Sequence, residues 1–187
     1  MCFHLTATLP KSINIETLRP IINQYGMAFD PLNNPNVSSQ LRPGELNFVA
    51  TKGHCDCGTV LGALSTSRKL QALLKSKKAR NLQKKGWSED QIVQWAEEKL
   101  KKRKKSHGRK YSPVEIEQET ARWINFLREL LQAGNLSHVG LIKHWYRGRL
   151  DTEQFSIKKT EKININETTA DFLTKIEEDT LYEFFIN

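Results

Sequence analysis

The chain has 187 residues, 38% hydrophobic and 27% charged, with a net charge of +8 at neutral pH. That much apolar material supports a core and excludes wholesale disorder, and no apolar run approaches the roughly 20 residues that a membrane-spanning helix needs. Three cysteines are too few, and odd in number, for a disulfide scaffold. With no basic-then-apolar leader at Met1–Thr6, they point to a cytoplasmic protein with reduced thiols.

The charge is uneven. Between Arg68 and Lys110 there are 16 Lys or Arg against four acids, whereas the rest of the chain is mildly acidic. Such asymmetry favours an anionic partner, nucleic acid or another polyanion, over a uniformly adhesive surface. The length suits a single domain, 1–187, in which 66–111 is a basic helical insertion.

The alternating run Phe3–Leu9, closed by Pro10, predicts a first strand, on which Cys2 and His4 share a face. Asn14 is a cap for a short helix through Ile15, Leu18, Ile21 and Ile22, with Pro20 inside it and Gly26 ending it. Residues 30–44, with three prolines and several asparagines, read as a loop. Leu46–Thr51 predicts a second strand, running directly into Gly53-His54-Cys55-Asp56-Cys57-Gly58. From Ser67 to about Lys85 the chain reads as one basic helix broken at Gly86. Ser88 and Gln91 form a capping-box signature for a second helix finishing in Lys99–Lys105. Ser112-Pro113-Val114-Glu115 is the strongest helix start, with an apolar stripe through Ile116, Ala121, Ile124, Leu127, Leu130 and Leu131, and a stop at Gly134. Val139–Tyr146 predicts a third strand, and Phe155–Ile165 its hairpin partner, alternating at Phe155 and Ile157 and then at Ile163 and Ile165, with a bulge between these two pairs. A short helix over Thr169–Ile176, capped at Thr168 or Thr169, and a last strand over Thr180–Ile186 complete the order. This alternation predicts an α/β or α+β fold, a single central mixed sheet of about five strands covered by helices.

All thiols and two histidines fall in two clusters, Cys2 with His4 and His54 with Cys55 and Cys57. Thiolate and imidazole are the donors that transition metals prefer, so these five residues are the candidate metal ligands, with zinc the favoured ion. Cys-x-Cys is a weaker signal than Cys-x-x-Cys. If the first two strands run parallel, the clusters lie at opposite ends; they meet only if the strands are antiparallel or the turn folds back. Buried, inert thiols are the bland alternative.

A second reading is a cysteine-dependent hydrolase or transferase. Its nucleophile would be Cys2, activated by its own amine after removal of Met1, or Cys55 or Cys57, with His54, His138 or His144 as base. The Met1-Cys2 start is similar to that of class II glutamine amidotransferases, but Phe3 replaces that family's glycine, and no function is carried over. His144 otherwise reads as a satisfied strand histidine. A third reading is non-specific nucleic-acid binding. Lys77, Lys78, Arg80, Lys84, Lys85, Lys101, Lys102, Arg103, Lys104 and Lys105 would neutralise phosphates, and Trp87 could stack on a base. A solvated helical face is the alternative there. Phosphate-loop, dinucleotide-binding and Gly-x-Ser-x-Gly signatures are missing.

Overall fold

In the computed structural model, the described residues are 2–63, 70, 73–107 and 111–187, with the side chains of 63 and 101–107 excepted. The chain divides into two compact units, Met1–Ala63 with Pro113–Asn187, and Leu64–Ser112.

The larger unit is built on one five-stranded mixed sheet in the order β2-β1-β3-β5-β4. Its strands are β1 (Cys2–Pro10), β2 (Glu45–Val49), β3 (Val139–Tyr146), β4 (Lys159–Asn164) and β5 (Thr180–Phe185). β1 is antiparallel to both β2 and β3, β3 is antiparallel to β5, and β4 is parallel to β5. The helices of this unit are α1 (Ile15–Gln24), α2 (Pro35–Ser38), α3 (Val60–Ala63), α6 (Pro113–Ala133) and α7 (Ala170–Thr174). The basic unit contributes α4 (Lys77–Lys84) and α5 (Glu89–His107).

Several local signals act as the sequence suggests. Asn14 accepts from the Glu16 N–H at the start of α1, and Gly26 ends that segment at φ +59°. Ser88 and Gln91 close a reciprocal capping box, each side chain accepting from the other's backbone N–H. Thr169 caps α7 by accepting from the Phe172 N–H. Of the basic helix expected over 67–85, residues 67–69, 71 and 72 lie outside the described residues; in the rest a turn at Lys75–Ser76 interrupts it, and Ser76 caps α4 through the Ala79 N–H. The serine hydroxyl takes up one of the N–H groups that a helix start leaves without an intrahelical acceptor.

One sheet face carries Phe3, Leu5, Ala7 and Leu9 of β1 and packs under α3 and α6. Phe29 stacks on Phe48 and meets Phe126 of α6 edge-on, so aromatic rings fill the space between sheet and helix. The opposite face is covered by the segments around α2 and 150–157. Val37, Leu41, Ile142 and Leu181 form its apolar cluster, with Phe155 and Ile157 against it. The Asn34 amide donates to the Leu150 and Glu153 carbonyls, and Gln40 bonds both Phe155 and Ile157, which ties the two covers together.

The expected hairpin between β3 and the 155–165 segment is not formed. Phe155 and Ile157 lie outside the strand and anchor the cover, while β4 pairs only with β5, through a crossover containing α7. The alternation there reflects two separate jobs. Aromatic and aliphatic side chains can plug a core from an irregular segment as readily as from a strand, so period-two patterning did not specify the partner.

Lys143 is 2% exposed within β3, on the helix-covered face. Its ammonium donates to the Leu61 carbonyl of α3 at 2.6 Å and lies 5.6 Å from the centre of the Phe3 ring. Burial pulls its pKa down to about 8, against the opposing pull of Glu178 and Asp56. Below this value both folded and unfolded chains carry the proton. Above it the folded chain releases the proton while the unfolded lysine holds it to about 10.4, so stability rises with pH across that window. Denaturation of wild type and Lys143→Met at pH 7 and pH 10.5 should show the wild type gaining on the order of 3 kcal/mol relative to the variant over that range.

Candidate functional site

The antiparallel pairing of β1 with β2 decides the geometry of the thiols. It brings the start of β1 beside the chain that leaves β2, the arrangement in which Cys2 and the His54–Cys57 turn can meet. Regular pairing ends near Thr6 and Val49. Beyond it the edge of β1 is closed by the turn. The Ala50 N–H donates to the Leu5 carbonyl and the Leu5 N–H donates to the Asp56 carboxylate. The Asp56 N–H then donates to the Phe3 carbonyl, and the Phe3 N–H donates to Cys57 Sγ at 3.2 Å. Four bonds, two of them to side chains, replace a strand. They satisfy edge groups that would otherwise be left unpaired.

Asp56 is the pivot. It is 1% exposed, and burial pushes its carboxyl up to about 7 against the hydrogen bond from Leu5. Thr59 Oγ1 donates to the Asp56 carbonyl at the turn into α3. The helix passes so close that a Cβ on Gly62 would lie 1.7 Å from the Asp56 carbonyl oxygen. Glycine at 62 is therefore required by the backbone contact that holds the turn down.

The outcome is a convergence of Cys2, Cys55 and Cys57, whose sulfur atoms all lie within 4.8 Å of one another. Sulfurs sharing a tetrahedral zinc at Zn–S distances of about 2.3 Å are about 3.8 Å apart, so the group lies within metal-binding distance. All three are free thiols, Cys2 and Cys55 half-buried and Cys57 exposed. The Cys57 backbone N–H holds the Cys55 thiol below its ordinary value, with further help from the Cys2 and Cys57 thiols. Cys57 goes the other way, to about 11. Burial of its sulfur raises it, the Phe3 N–H opposes this, and the neighbouring Cys55 adds to the rise. Only one of the adjacent thiols can ionise cheaply unless a cation joins them.

The two histidines of the sequence-derived set stand apart from this convergence. His54 is exposed on the turn. His4 is 9% exposed, packs edge-on to Tyr146 at 5.5 Å between centroids, and is held below its ordinary pKa chiefly by burial. His144 pairs across from His4, and Tyr146 across from Cys2. The His144 ring stacks on Phe155 at 3.7 Å, and its Nδ1 is 2.6 Å from the Asp179 carboxylate. Burial pushes Asp179 up, but hydrogen bonds from His144 and Lys158 bring it below the usual carboxylate value. Its φ of +62° is held by backbone bonds to Lys143 and Lys158. His144 is thus an oriented imidazole beneath the 150–157 cover.

His138, read from sequence only as an alternative base, lies with Glu45 and Glu183 in a second convergence that the sequence reading did not assemble. The available signal was an acid, Glu183, within the otherwise apolar run Leu181–Phe185.

In the basic unit, Lys77, Lys78, Lys84 and Lys85 line one open groove with Asn81 and Leu82. Arg80 is exposed beside them. Trp87 is 41% exposed, and Trp95 lies under the ammonium groups of Lys78 and Lys99 at 5.9 and 5.1 Å. Lys101, Lys102, Arg103, Lys104 and Lys105 lie on the backbone of α5, and their side chains fall outside the described residues. Among the described residues no helix is long and apolar enough to cross a membrane.

No family model, curated protein or solved structure matches the chain.

Replacing Asp56 by Ala strands the Leu5 N–H at the edge of β1 and should cost about 1–3 kcal/mol in urea denaturation. It should also speed alkylation of Cys57, whose sulfur is positioned by the same turn. Wild-type alkylation rates in the variant would contradict this account of the turn.

Proposed function

We propose that the protein binds a transition metal, zinc foremost, through Cys2, Cys55 and Cys57. The observation that carries this reading is the convergence of all three thiols of the chain, from separate segments, within 4.8 Å. Three thiolates suit a soft or borderline ion. A bound dication would draw the protons from all three sulfurs and relieve the opposed ionisation of Cys55 and Cys57. The Phe3 N–H bonded to Cys57 Sγ would serve as an outer contact that orients a ligand. Three protein donors leave one tetrahedral position for solvent or for a ligand brought by a partner. The metal reading is preferred to a cysteine nucleophile because nucleophilic use requires one activated thiol beside a base, whereas here three thiols face one another.

A specific observation favours an anionic partner as well: four lysines of the basic unit line a single groove, with an exposed tryptophan after α4. In this reading the segment is a basic insertion whose binding to nucleic acid or another polyanion weakens with salt.

Cobalt(II) titration tests the thiol site. The wild-type chain, purified without a histidine tag, should show intense thiolate-to-cobalt charge-transfer absorption saturating near one equivalent. Cys55→Ser and Cys57→Ser should each reduce affinity at least about tenfold, in line with the loss of one ligand. Absence of the charge-transfer bands would overturn the proposal. For the basic unit, anisotropy with a fluorescent single-stranded oligonucleotide should show binding at 50 mM salt that falls at least about tenfold by 200 mM. Salt-independent binding would contradict the phosphate mechanism.

A further inference from the structure

The sheet face beneath the 30–44 and 150–157 covers carries the second group of ligand-type side chains. Glu45 opens β2, His138 immediately precedes β3, and Glu183 lies within β5. One donor atom from each lies within 4.8 Å of the other two. The side chains of Glu45 and Glu183 are 4% and 3% exposed, and that of His138 is 12% exposed.

Register explains the convergence. Asn47 pairs with Thr8, Thr8 with Gly140, and Gly140 with Glu183, which makes one row across four strands. Glu45 and His138 stand two residues along from Asn47 and Gly140, hence on the same face. Gly140 is what allows the row to close, because a Cβ there would lie 2.0 Å from Thr8 Oγ1.

Two buried carboxylates this close repel one another and have given up their hydration. Part of the compensation is visible. His138 Nε2 is 2.5 Å from Glu45 Oε1, and the Arg42 guanidinium donates to Glu183 Oε2. The rest is not. Glu45 Oε2, Glu183 Oε1 and both amide atoms of Asn47 are buried without a hydrogen-bond partner, and Asn47 is only 4% exposed. Folded proteins rarely leave such atoms orphaned, and these project from one face of the sheet, from β2 and from β5. The other nitrogen of His138, Nδ1, is already engaged by Ser137 Oγ at 3.0 Å. That is the kind of outer partner that leaves Nε2 free to act as a ligand.

We propose that Glu45, His138 and Glu183, joined by the Asn47 carboxamide, form a second metal site. It takes a divalent first-row cation that prefers mixed oxygen and nitrogen donors, such as Mn²⁺, Fe²⁺ or Zn²⁺. The cation takes the place of the proton shared between His138 and Glu45 and uses the unpartnered oxygens of Glu45, Glu183 and Asn47. Its charge adds to that of Arg42 in offsetting the two carboxylates. This site shares no ligand with the thiol cluster and stands whether or not that cluster binds metal. The competing arrangement is a self-contained ion-pair box, protonated His138 on Glu45 and Arg42 on Glu183, with no cation.

Manganese distinguishes the two, because it discriminates against thiolates. A chain with Cys2, Cys55 and Cys57 all changed to Ser is titrated with Mn²⁺ and the free ion is followed by electron paramagnetic resonance. One equivalent should bind saturably and raise the thermal midpoint. His138→Gln and Glu183→Gln should each weaken binding at least tenfold. No saturable binding, or unchanged affinity in both variants, would overturn the site in favour of the ion-pair box. Should the serine chain not fold, the unaltered chain decides by the same signal. Manganese uptake lost in His138→Gln supports the site, and equal uptake in the two chains rejects it.

Discussion

The antiparallel junction of β1 and β2, and its continuation by a turn, is the constraint on which the thiol site depends. A strand edge cannot end in an apolar interior with its N–H and C=O groups unpaired. Here the Phe3 N–H and carbonyl and the Leu5 N–H are taken up by Cys57 and Asp56, and the Leu5 carbonyl by the Ala50 N–H. The same bonds that complete the edge therefore aim a cysteine at the start of the strand. The close passage of α3 over the Asp56 carbonyl, which only glycine at 62 permits, holds the arrangement in place. A convergence of three thiols within metal-binding distance results from satisfying backbone groups, with thiols at the positions where the turn meets the strand.

The sheet separates two kinds of burial. On the helix side, aromatic and aliphatic packing dominates, interrupted by Lys143, whose ammonium finds a helix carbonyl. On the other side an apolar cluster around Ile142 and Leu181 adjoins a polar row that includes His4, Thr6, Thr8, Asn47, His144 and Glu183, each buried. Polar groups at such depth lower stability unless matched, so a fold that keeps them is spending stability on something other than cohesion. The same row holds the oriented pair of His144 and Asp179 and the convergence at Glu45, His138 and Glu183.

The basic unit obeys different physics. Among the described side chains its helices bury few apolar groups: α4 buries Ala79, and α5 buries Ile92 and Ala96. Ordering comes from caps at Ser76 and Ser88 and from lysine–tryptophan contacts about Trp95. Dense like charge opposes compaction.

The sequence by itself determined the local vocabulary: the caps at Asn14 and Ser88, the long amphipathic helix from Pro113, the strands at 3–9, 139–146 and 180–186, and the mixed sheet with helices over it. These follow from side chains acting on their own backbone or from periodicity within one element. It also marked Cys2, Cys55 and Cys57 as the residues to watch, because thiols are scarce in this chain. Only the tertiary structure decided strand partners and polarity. The 155–165 alternation could not show that Phe155 and Ile157 plug a cover while β4 crosses to the far edge beside β5. The group of sulfurs within 4.8 Å does not include His4 or His54, which neighbour them in sequence, and register across four strands assembled Glu45, His138 and Glu183. Those are choices between long-range pairings of similar local cost, and they are settled by which arrangement leaves the fewest buried groups unpaired.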